Sequence, residues 1–362
     1  MSRILFVIDG LSKGGAERVT TWLANQFSEL TDTNVTLLVN FKFDGEYPIN
    51  KNVKIIYIES QITDSERIVR IYKKIRYIFH VIKEGNFEAV ISLAMPQLNC
   101  YISLACLRYG VRLIVSERND PQKYPPNKFL RLGRYFCYFI AESVVFQTQG
   151  AKQFFPKYVQ KKGYLIDNPL MDNLPVPYVG ERNTDIVNFC RLTKQKNLTM
   201  LIDAFSIVYK KHPEMNLKIF GDGELHDSLV EYIKELGLSR KIFILPFISN
   251  IHEVILKASM YVSSSDYEGV SNSMLEAMAI GLPCICTDCP PGGAREFIIN
   301  RKNGILTTVG DVTQLSQAML EIIDNPDFQM QIGKSAQNIS TRLNSDKIFL
   351  CWKKVIFKNR RK

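Results

Sequence analysis

Short runs of β-branched and other apolar residues alternate along the chain with longer stretches whose apolar positions recur every three or four residues. The runs fall at 4–8, 35–39, 54–58, 89–93, 113–116 and 143–147, then at 186–189, 217–220, 242–245, 260–263, 283–287 and 304–307. Nearly continuous apolar character over so few residues predicts strands covered on both faces, as in a parallel sheet. Helices joining such strands in the right-handed sense wrap both faces, giving a doubly wound layer. A chain of 362 residues is too long for one core, so the pattern predicts an α/β protein of two Rossmann-like domains, each with its own core.

The break between them is legible too. The stretch 167–183 (DNPLMDNLPVPYVGERN) carries three prolines and no helical period. The expected organisation is a first domain at 1–170, a linker at 171–184, a second domain at 185–342, and a closing segment at 343–362. In that closing segment the apolar positions Ile348, Leu350, Cys351, Trp352, Val355 and Ile356 predict a helix that needs a surface to cover.

An apolar share of 46% and a charged share of 23% are those of an ordinary globular protein. No apolar run approaches the roughly 18 residues of a membrane-crossing helix. The apolar run 4–8 is too short for a signal peptide, so the protein is expected to stay in the cytoplasm. In that reducing compartment the eight cysteines read as free thiols. Cys284, Cys286 and Cys289 are close enough to suggest a metal site. They have no fourth Cys or His nearby, and Cys284 and Cys286 fit alternate strand positions, so they read as packing residues. A formal net charge of +10 calls for an anionic partner, with nucleic acid, anionic lipid and phosphorylated substrate all open.

Three segments carry candidate chemistry. The first predicted strand ends in DGLSKGGAE, where Gly14 and Gly15 open a helix with Val19, Leu23 and Phe27 on one face. Glycines at a helix N-terminus let backbone amides approach a phosphate, although a tight strand-to-helix turn explains them equally well. The spacing fits neither a dinucleotide fingerprint nor a Walker A loop. After the first strand of the second domain come Arg191 and Lys196, ahead of a predicted helix over 198–211. Cations beyond the carboxyl end of a strand can neutralise a diphosphate, and arginine can fork onto two oxygens. Finally, SSSDYEGVSNSMLEAMAIGLP places Glu268 in a loop, a helix start near Ser271 and Asn272, and Glu276 inside that helix. With Glu268 ahead of the helix and Glu276 eight positions on inside it, the glutamates cannot share a helical face and so suit two parts of one extended ligand. The free amides of the helix start would favour an anion.

Taken in order, GGAE, RLTKQKN, GDGE at 221–224 and the E-x7-E of Glu268 and Glu276 resemble the family 4 glycosyltransferases over essentially the whole chain, most specifically in the C-terminal half. The stretch TDCPPGGARE at 287–296 is similar to a bacterial subgroup that builds lipopolysaccharide, capsule or lipid-linked oligosaccharides. The resemblance implies a GT-B fold and retaining transfer of a hexose-type sugar, N-acetylated or not, from a nucleotide diphosphate donor, with UDP preferred. It implies that Gly14 and Gly15 lie near the donor phosphates and that Arg191 and Lys196 clamp the diphosphate. Glu268 would touch the sugar, the backbone of Gly269, Val270 and Ser271 would touch sugar and phosphate, and Glu276 would hold the ribose hydroxyls. Phe247 and Ile248 would lie at the base. The first domain would take the acceptor, and the closing helix would cross back to it.

The chain departs from the family in two places. Cys190 stands where a glycine often precedes the clamp arginine. No histidine occurs in the segment 116–120, which leaves Glu117 and Arg118 as acceptor-side candidates. No two aspartates are separated by a single residue, so a DxD metal site is absent and no metal cofactor is expected. The charge is expected to serve a membrane. The stretch 64–84 pairs an apolar face (Ile68, Ile71, Tyr72, Ile75, Ile78, Phe79, Ile82) with Arg67, Arg70, Lys73, Lys74 and Lys83, and 128–139 is basic and aromatic. Each basic residue near an anionic surface contributes about 1 kcal/mol, which favours peripheral attachment to the inner leaflet, where a lipid-linked acceptor resides. Rival readings are a nucleotide-sugar epimerase or phosphorylase on a similar fold, a dehydrogenase, and a basic nucleic-acid-binding module. The failed glycine fingerprint disfavours the dehydrogenase, and no recognisable nucleic-acid-binding motif accompanies the charge, so no nucleic-acid partner is expected.

Overall fold

The computed structural model describes residues 1–12, 14–62 and 66–358. The chain divides into two compact units, Met1–Asn168 with Asp346–Lys362, and Pro169–Ser345. The first unit holds β1 (Ser2–Ile8), β2 (Thr33–Val39), β3 (Lys54–Tyr57), β4 (Ala89–Ser92), β5 (Arg112–Glu117), β6 (Ser143–Phe146) and β7 (Gly163–Leu165). They form one parallel sheet in the order β3-β2-β1-β4-β5-β6-β7. Its helices are α1 (Gly15–Ser28), α2 (Arg67–Glu84), α3 (Pro96–Tyr109), α4 (Lys128–Ile140), α5 (Gln149–Phe154) and α6 (Lys157–Gln160).

Side chains alternate across this sheet with period two. Leu5 and Val7 of β1 join Ile78 and Ile82 of α2, Ile102 of α3 and Tyr138 of α4 in the core of one face. Phe6 points the other way and lies 5.9 Å, ring to ring, from Phe27 of α1.

The second unit holds β8 (Asp185–Phe189), β9 (Asn216–Phe220), β10 (Ile242–Leu245), β11 (Met260–Ser263), β12 (Cys284–Thr287) and β13 (Ile305–Thr307). The order is β10-β9-β8-β11-β12-β13, again all parallel. Its helices are α7 (Leu198–Lys211), α8 (His226–Glu235), α9 (Ile251–Ile255), α10 (Asn272–Ala279), α11 (Val312–Asp324), α12 (Pro326–Ala336) and α13 (Ile339–Arg342). Successive strands run outward from β8 on one side and from β11 on the other. The sheet therefore has its topological switch point between these two strands, where open α/β sheets bind ligands beyond the carboxyl ends. The linker's end is tied to this unit, with Arg182 donating to the carbonyls of Leu256 and Ala258 at 3.3 and 3.0 Å.

The chain closes with α14 (Ser345–Ile356), whose residues from Asp346 onward cluster with the first unit. Ile348, Trp352, Val355 and Ile356 are buried, and Phe349 packs on Trp22 and Phe27 of α1 at 6.4 and 4.8 Å. Leu350 and Cys351 face outward, against the apolar set read from the sequence, and Phe349 takes their place. The tail 359–362 lies outside the described residues.

Several expectations from the sequence need correction. The edge strand β7 was not expected; Gly163-Tyr-Leu165 is three residues long and only partly buried, so no apolar run marks it. The apolar face read for 64–84 breaks down in the first turns of α2, where Ile68 and Tyr72 are 82% and 59% exposed. Residues 64 and 65 of that stretch lie outside the described residues. Lys74, assigned to the solvated face, is instead drawn inward by Glu59 and by the Asn40 side-chain oxygen at 3.0 Å. Arg134, counted in the basic stretch of α4, is buried. Among the described residues no helix is long and apolar enough to cross a membrane, and all eight cysteines are free.

Candidate active site

Two loops leave the switch point of the second unit, one after β8 and one after β11. The first carries Cys190, Arg191 and Lys196 and passes through a turn of 3-10 helix at Lys194–Lys196 into α7. Asn197 caps α7 from a left-handed conformation with φ of 43°, its side chain accepting from the Met200 amide. The second carries Glu268 and ends at Ser271, whose hydroxyl accepts from the Met274 amide at 3.3 Å to cap α10. Hydrogen bonds stitch the loops together. The Asp266 amide donates to the Gln195 carbonyl at 3.0 Å, Gln195 Nε2 to the Tyr267 carbonyl at 2.9 Å, and Asn197 Nδ2 to Asp266 Oδ1 at 2.7 Å.

That stitching brings the Lys196 ammonium onto the Glu268 carboxylate as an ion pair and hydrogen bond. Both side chains are mostly buried, at 12% and 20% exposure. Burial works against the lysine's charge, but the Glu268 carboxylate outweighs it, and the Lys196 pKa is raised. The Cys190 thiol is pushed up to about 11 by burial and so stays protonated at neutral pH. Arg191 stands beside the pair, exposed, and among the described residues its guanidinium has no hydrogen-bond or ion-pair partner. The arrangement presents one committed and one uncommitted cation at the carboxyl edge of the sheet, with the Glu268 loop leading into the N-terminus of a capped helix. That is a site for a polyanion.

Two glycine-bearing turns support it. The GDGE turn backs the Arg191 loop: Cys190 donates its amide to the Phe220 carbonyl and Leu192 to that of Asp222, both at 3.0 Å. A Cβ on Gly221 would lie 1.9 Å from the Cys190 carbonyl oxygen, so only glycine permits this approach. The 288–296 loop backs Glu268, whose amide donates to the Pro290 carbonyl at 2.9 Å. A Cβ on Gly293 would sit 1.6 Å from the Gly269 carbonyl oxygen. Behind Glu268 lies a small cleft lined by Ser263, Ser265, Ser271, Met274 and Thr287.

Glu276 is buried in α10 and bound to His252 of α9, Nε2 to Oε2 at 2.9 Å. The two glutamates therefore do point to different partners. Phe247 and Ile248 follow β10, exposed and half-buried respectively. Gly269 and Val270 are buried and Ser271 is half-buried. Cys284, Cys286 and Cys289 are buried, and among the described residues no three His, Cys, Asp or Glu side chains group as a metal site requires.

The other candidates belong to the first unit. Gly14 caps α1 in extended conformation, φ −120° and ψ 164°, beyond the carboxyl end of β1. Glu117 does not face outward as an acceptor-side group. Its carboxylate accepts from Arg134 Nη1 at 3.0 Å and from Tyr138 at 2.9 Å, in a site whose burial raises its pKa against the pull of Arg134. Arg134 in turn holds the carbonyls of Pro121 and Tyr124 at 2.7 and 2.8 Å, so the pair fixes the loop after β5. Arg118 binds Asn168 and, at 3.4 Å, Ser116; burial lowers its pKa to about 10, with Glu17 opposing that shift.

Sequence reasoning missed His252. It lies in a helix of five residues with no readable period, and its partner stands 24 positions on.

The profile of the family described as "Glycosyl transferases group 1" matches residues 179–339, which contain every site element of the second unit. Over nearly its full length the chain is similar to an Erwinia amylovora protein, the "Amylovoran biosynthesis glycosyltransferase AmsD", at 25% identity, covering 98% of this chain and 100% of that protein. It is also 25% identical to the Campylobacter jejuni "N-acetylgalactosamine-N,N'-diacetylbacillosaminyl-diphospho-undecaprenol 4-alpha-N-acetylgalactosaminyltransferase", over 96% and 97% of the two chains. Among solved structures, Anabaena HepE in complex with UDP-glucose shares the fold with a TM-score of 0.80 at 18% identity, covering 99% of this chain and 100% of that one. Two Rossmann-like parallel sheets and these relatives lead to one conclusion: the chain is a glycosyltransferase of GT-B fold, acting on a nucleotide-sugar donor and related to the family 4 enzymes of bacterial surface-glycan synthesis.

Proposed function

We propose that the enzyme moves a hexose-type sugar, with or without an N-acetyl group, from a UDP-linked donor to a lipid-linked or polysaccharide acceptor, with retention at the anomeric carbon. The observation that carries this reading is the Lys196–Glu268 pair at the switch point, with Arg191 beside it and the α10 N-terminus three residues beyond Glu268. Arg191 and Lys196 hold the diphosphate, Glu268 meets the sugar, and the backbone of 269–271 lies along both. Glu276 takes the ribose hydroxyls, and Phe247 and Ile248 flank the base. In the first unit the candidate substrate contacts are Gly14, Gly15 and Arg118. A UDP donor is supported by the HepE complex and a lipid-linked acceptor by the Campylobacter relative's name.

In this reading the acceptor oxygen attacks the anomeric carbon on the face the diphosphate is leaving, and a departing phosphate oxygen takes the acceptor's proton. Negative charge grows on the leaving group, so Arg191, Lys196 and the helix amides favour the transition state over the ground state. No metal is required, because these groups supply the positive charge.

The acceptor side works at the inner leaflet as a peripheral protein. What supports this is α4, where Phe129, Leu132, Phe136 and Phe139 are exposed at helical spacing beside Lys128 and Arg131. Sedimentation with anionic but not neutral liposomes is expected; equal recovery with both sinks the attachment. A panel of UDP- and GDP-sugars tested for donor hydrolysis decides the donor, with turnover of UDP-sugars expected and exclusive use of GDP-sugars overturning the UDP assignment.

A further inference from the structure

His252 is buried at the foot of the same loop that carries Phe247 and Ile248, and it contacts two elements of the site. Its Nε2 lies 2.9 Å from Glu276 Oε2, with both side chains 8% exposed. Its ring stands edge-on to Phe189, the last residue of β8, at 5.8 Å and 89°. Phe189 is in turn braced by Tyr261 of β11 at 5.3 Å. The imidazole is thus wedged between the central strands and α10, and packing on the ring fixes where its nitrogen points. A nitrogen facing a carboxylate carries its proton whether the ring is neutral or charged, so His252 is the donor.

We infer that His252 is a positioning residue for nucleoside recognition: it fixes the plane of the Glu276 carboxylate, and through it the enzyme's discrimination for the ribose hydroxyls. The inference rests on the proposed contact of Glu276 with ribose and assigns a residue that acts behind it. A carboxylate on a helix can rotate about its terminal bond, which is a broad torsion. A hydrogen bond to one oxygen removes that freedom and aims the lone pairs of the other. Because a charge-assisted bond in a buried setting is strong, the orientation holds before any nucleotide arrives. The segment 246–252 would then meet the base at one end and set the ribose ligand at the other, so a single piece of chain reads the nucleoside.

The test compares binding of UDP with that of 2′,3′-dideoxyuridine diphosphate, by titration calorimetry on the full chain. Three proteins are needed: the unaltered enzyme, His252→Phe, which keeps the ring against Phe189 but lacks the donor, and His252→Gln, which restores an N–H near the same place. The unaltered enzyme is expected to prefer UDP by about tenfold or more, the worth of one good polar contact. His252→Phe is expected to lose most of that preference while binding the dideoxy compound unchanged, and His252→Gln to recover it in part. A preference retained in His252→Phe, or an equal weakening of both ligands, overturns the inference and leaves the ribose contact standing. No preference in the unaltered enzyme, or no UDP binding at all, overturns the ribose assignment and the inference with it.

Discussion

The Lys196 ammonium is bound to the Glu268 carboxylate across 72 residues of chain. Each residue comes from a different strand end, and the pair exists because β8 and β11 are neighbours in the sheet although three helices and two strands separate them in sequence. The pair also couples the two proposed tasks, since the cation for the diphosphate is aligned by the carboxylate for the sugar. Replacing Lys196 by Ala is expected to lower kcat by about 100-fold or more, the scale of one lost transition-state donor. It also leaves Glu268 without its buried counter-charge. Steady-state kinetics on the UDP-sugar chosen by the donor panel check this, and near-normal turnover rejects the clamp.

Much of this was legible in the sequence, for identifiable reasons. Twelve strands were readable because each is nearly continuous in apolar residues, and α7 spans 198–211 as its period predicts. The three-residue edge strand β7 leaves no such trace. Arg191, Lys196, Glu268 and Glu276 were marked by residue type and spacing. That Lys196 and Glu268 touch follows from strand order, which spacing does not encode. Glu117 was marked by its place at a strand end, while Arg134 and Tyr138, 17 and 21 positions on, turn it inward. In α2 the period was real, but Ile68 and Tyr72 run past the body they would cover.

Gly293 offers a test of how the Glu268 loop is held. An alanine there places its Cβ 1.6 Å from the Gly269 carbonyl oxygen, a backbone atom with no rotamer to yield. The 268–270 backbone has to shift, while the sheet beneath it is untouched. Gly293→Ala is expected to weaken UDP binding at least tenfold with an unchanged far-UV circular dichroism spectrum, because a displacement of about 1 Å is enough to spoil a positioned site. Wild-type affinity in this variant shows that the loop does not touch the donor.

Metal independence is expected if the proposed clamp is right. Arg191, the Lys196 ammonium and the amides of α10 are the groups proposed to neutralise the diphosphate. Activity measured in excess EDTA is therefore expected to match activity in its absence. Loss under EDTA that magnesium restores shows that these groups do not suffice.

The closing helix supplies a pH-dependent prediction. Arg112 of β5 forks onto Glu142, Nε to Oε2 at 2.8 Å and Nη2 to Oε1 at 2.9 Å. Its remaining nitrogen donates to the Ile356 carbonyl at the end of α14, at 3.0 Å. The arginine's hydrogen bond lowers the Glu142 pKa from its ordinary 4.5, against a smaller opposing effect of burial. A carboxyl whose folded pKa is depressed adds stability that is present above its unfolded value and is lost as pH falls through the folded one. The window therefore lies below about 4.5. Glu142→Gln is expected to melt about 2 °C below the unaltered protein at pH 7, equivalent to about 1 kcal/mol or less for a forked, partly exposed pair. As pH falls to about 3 the two melting curves are expected to draw together, because protonation removes from the unaltered protein the charged pair that the variant already lacks. Thermal melts at the two pH values measure this, and a gap that persists at pH 3 shows that Glu142 acts through packing rather than charge.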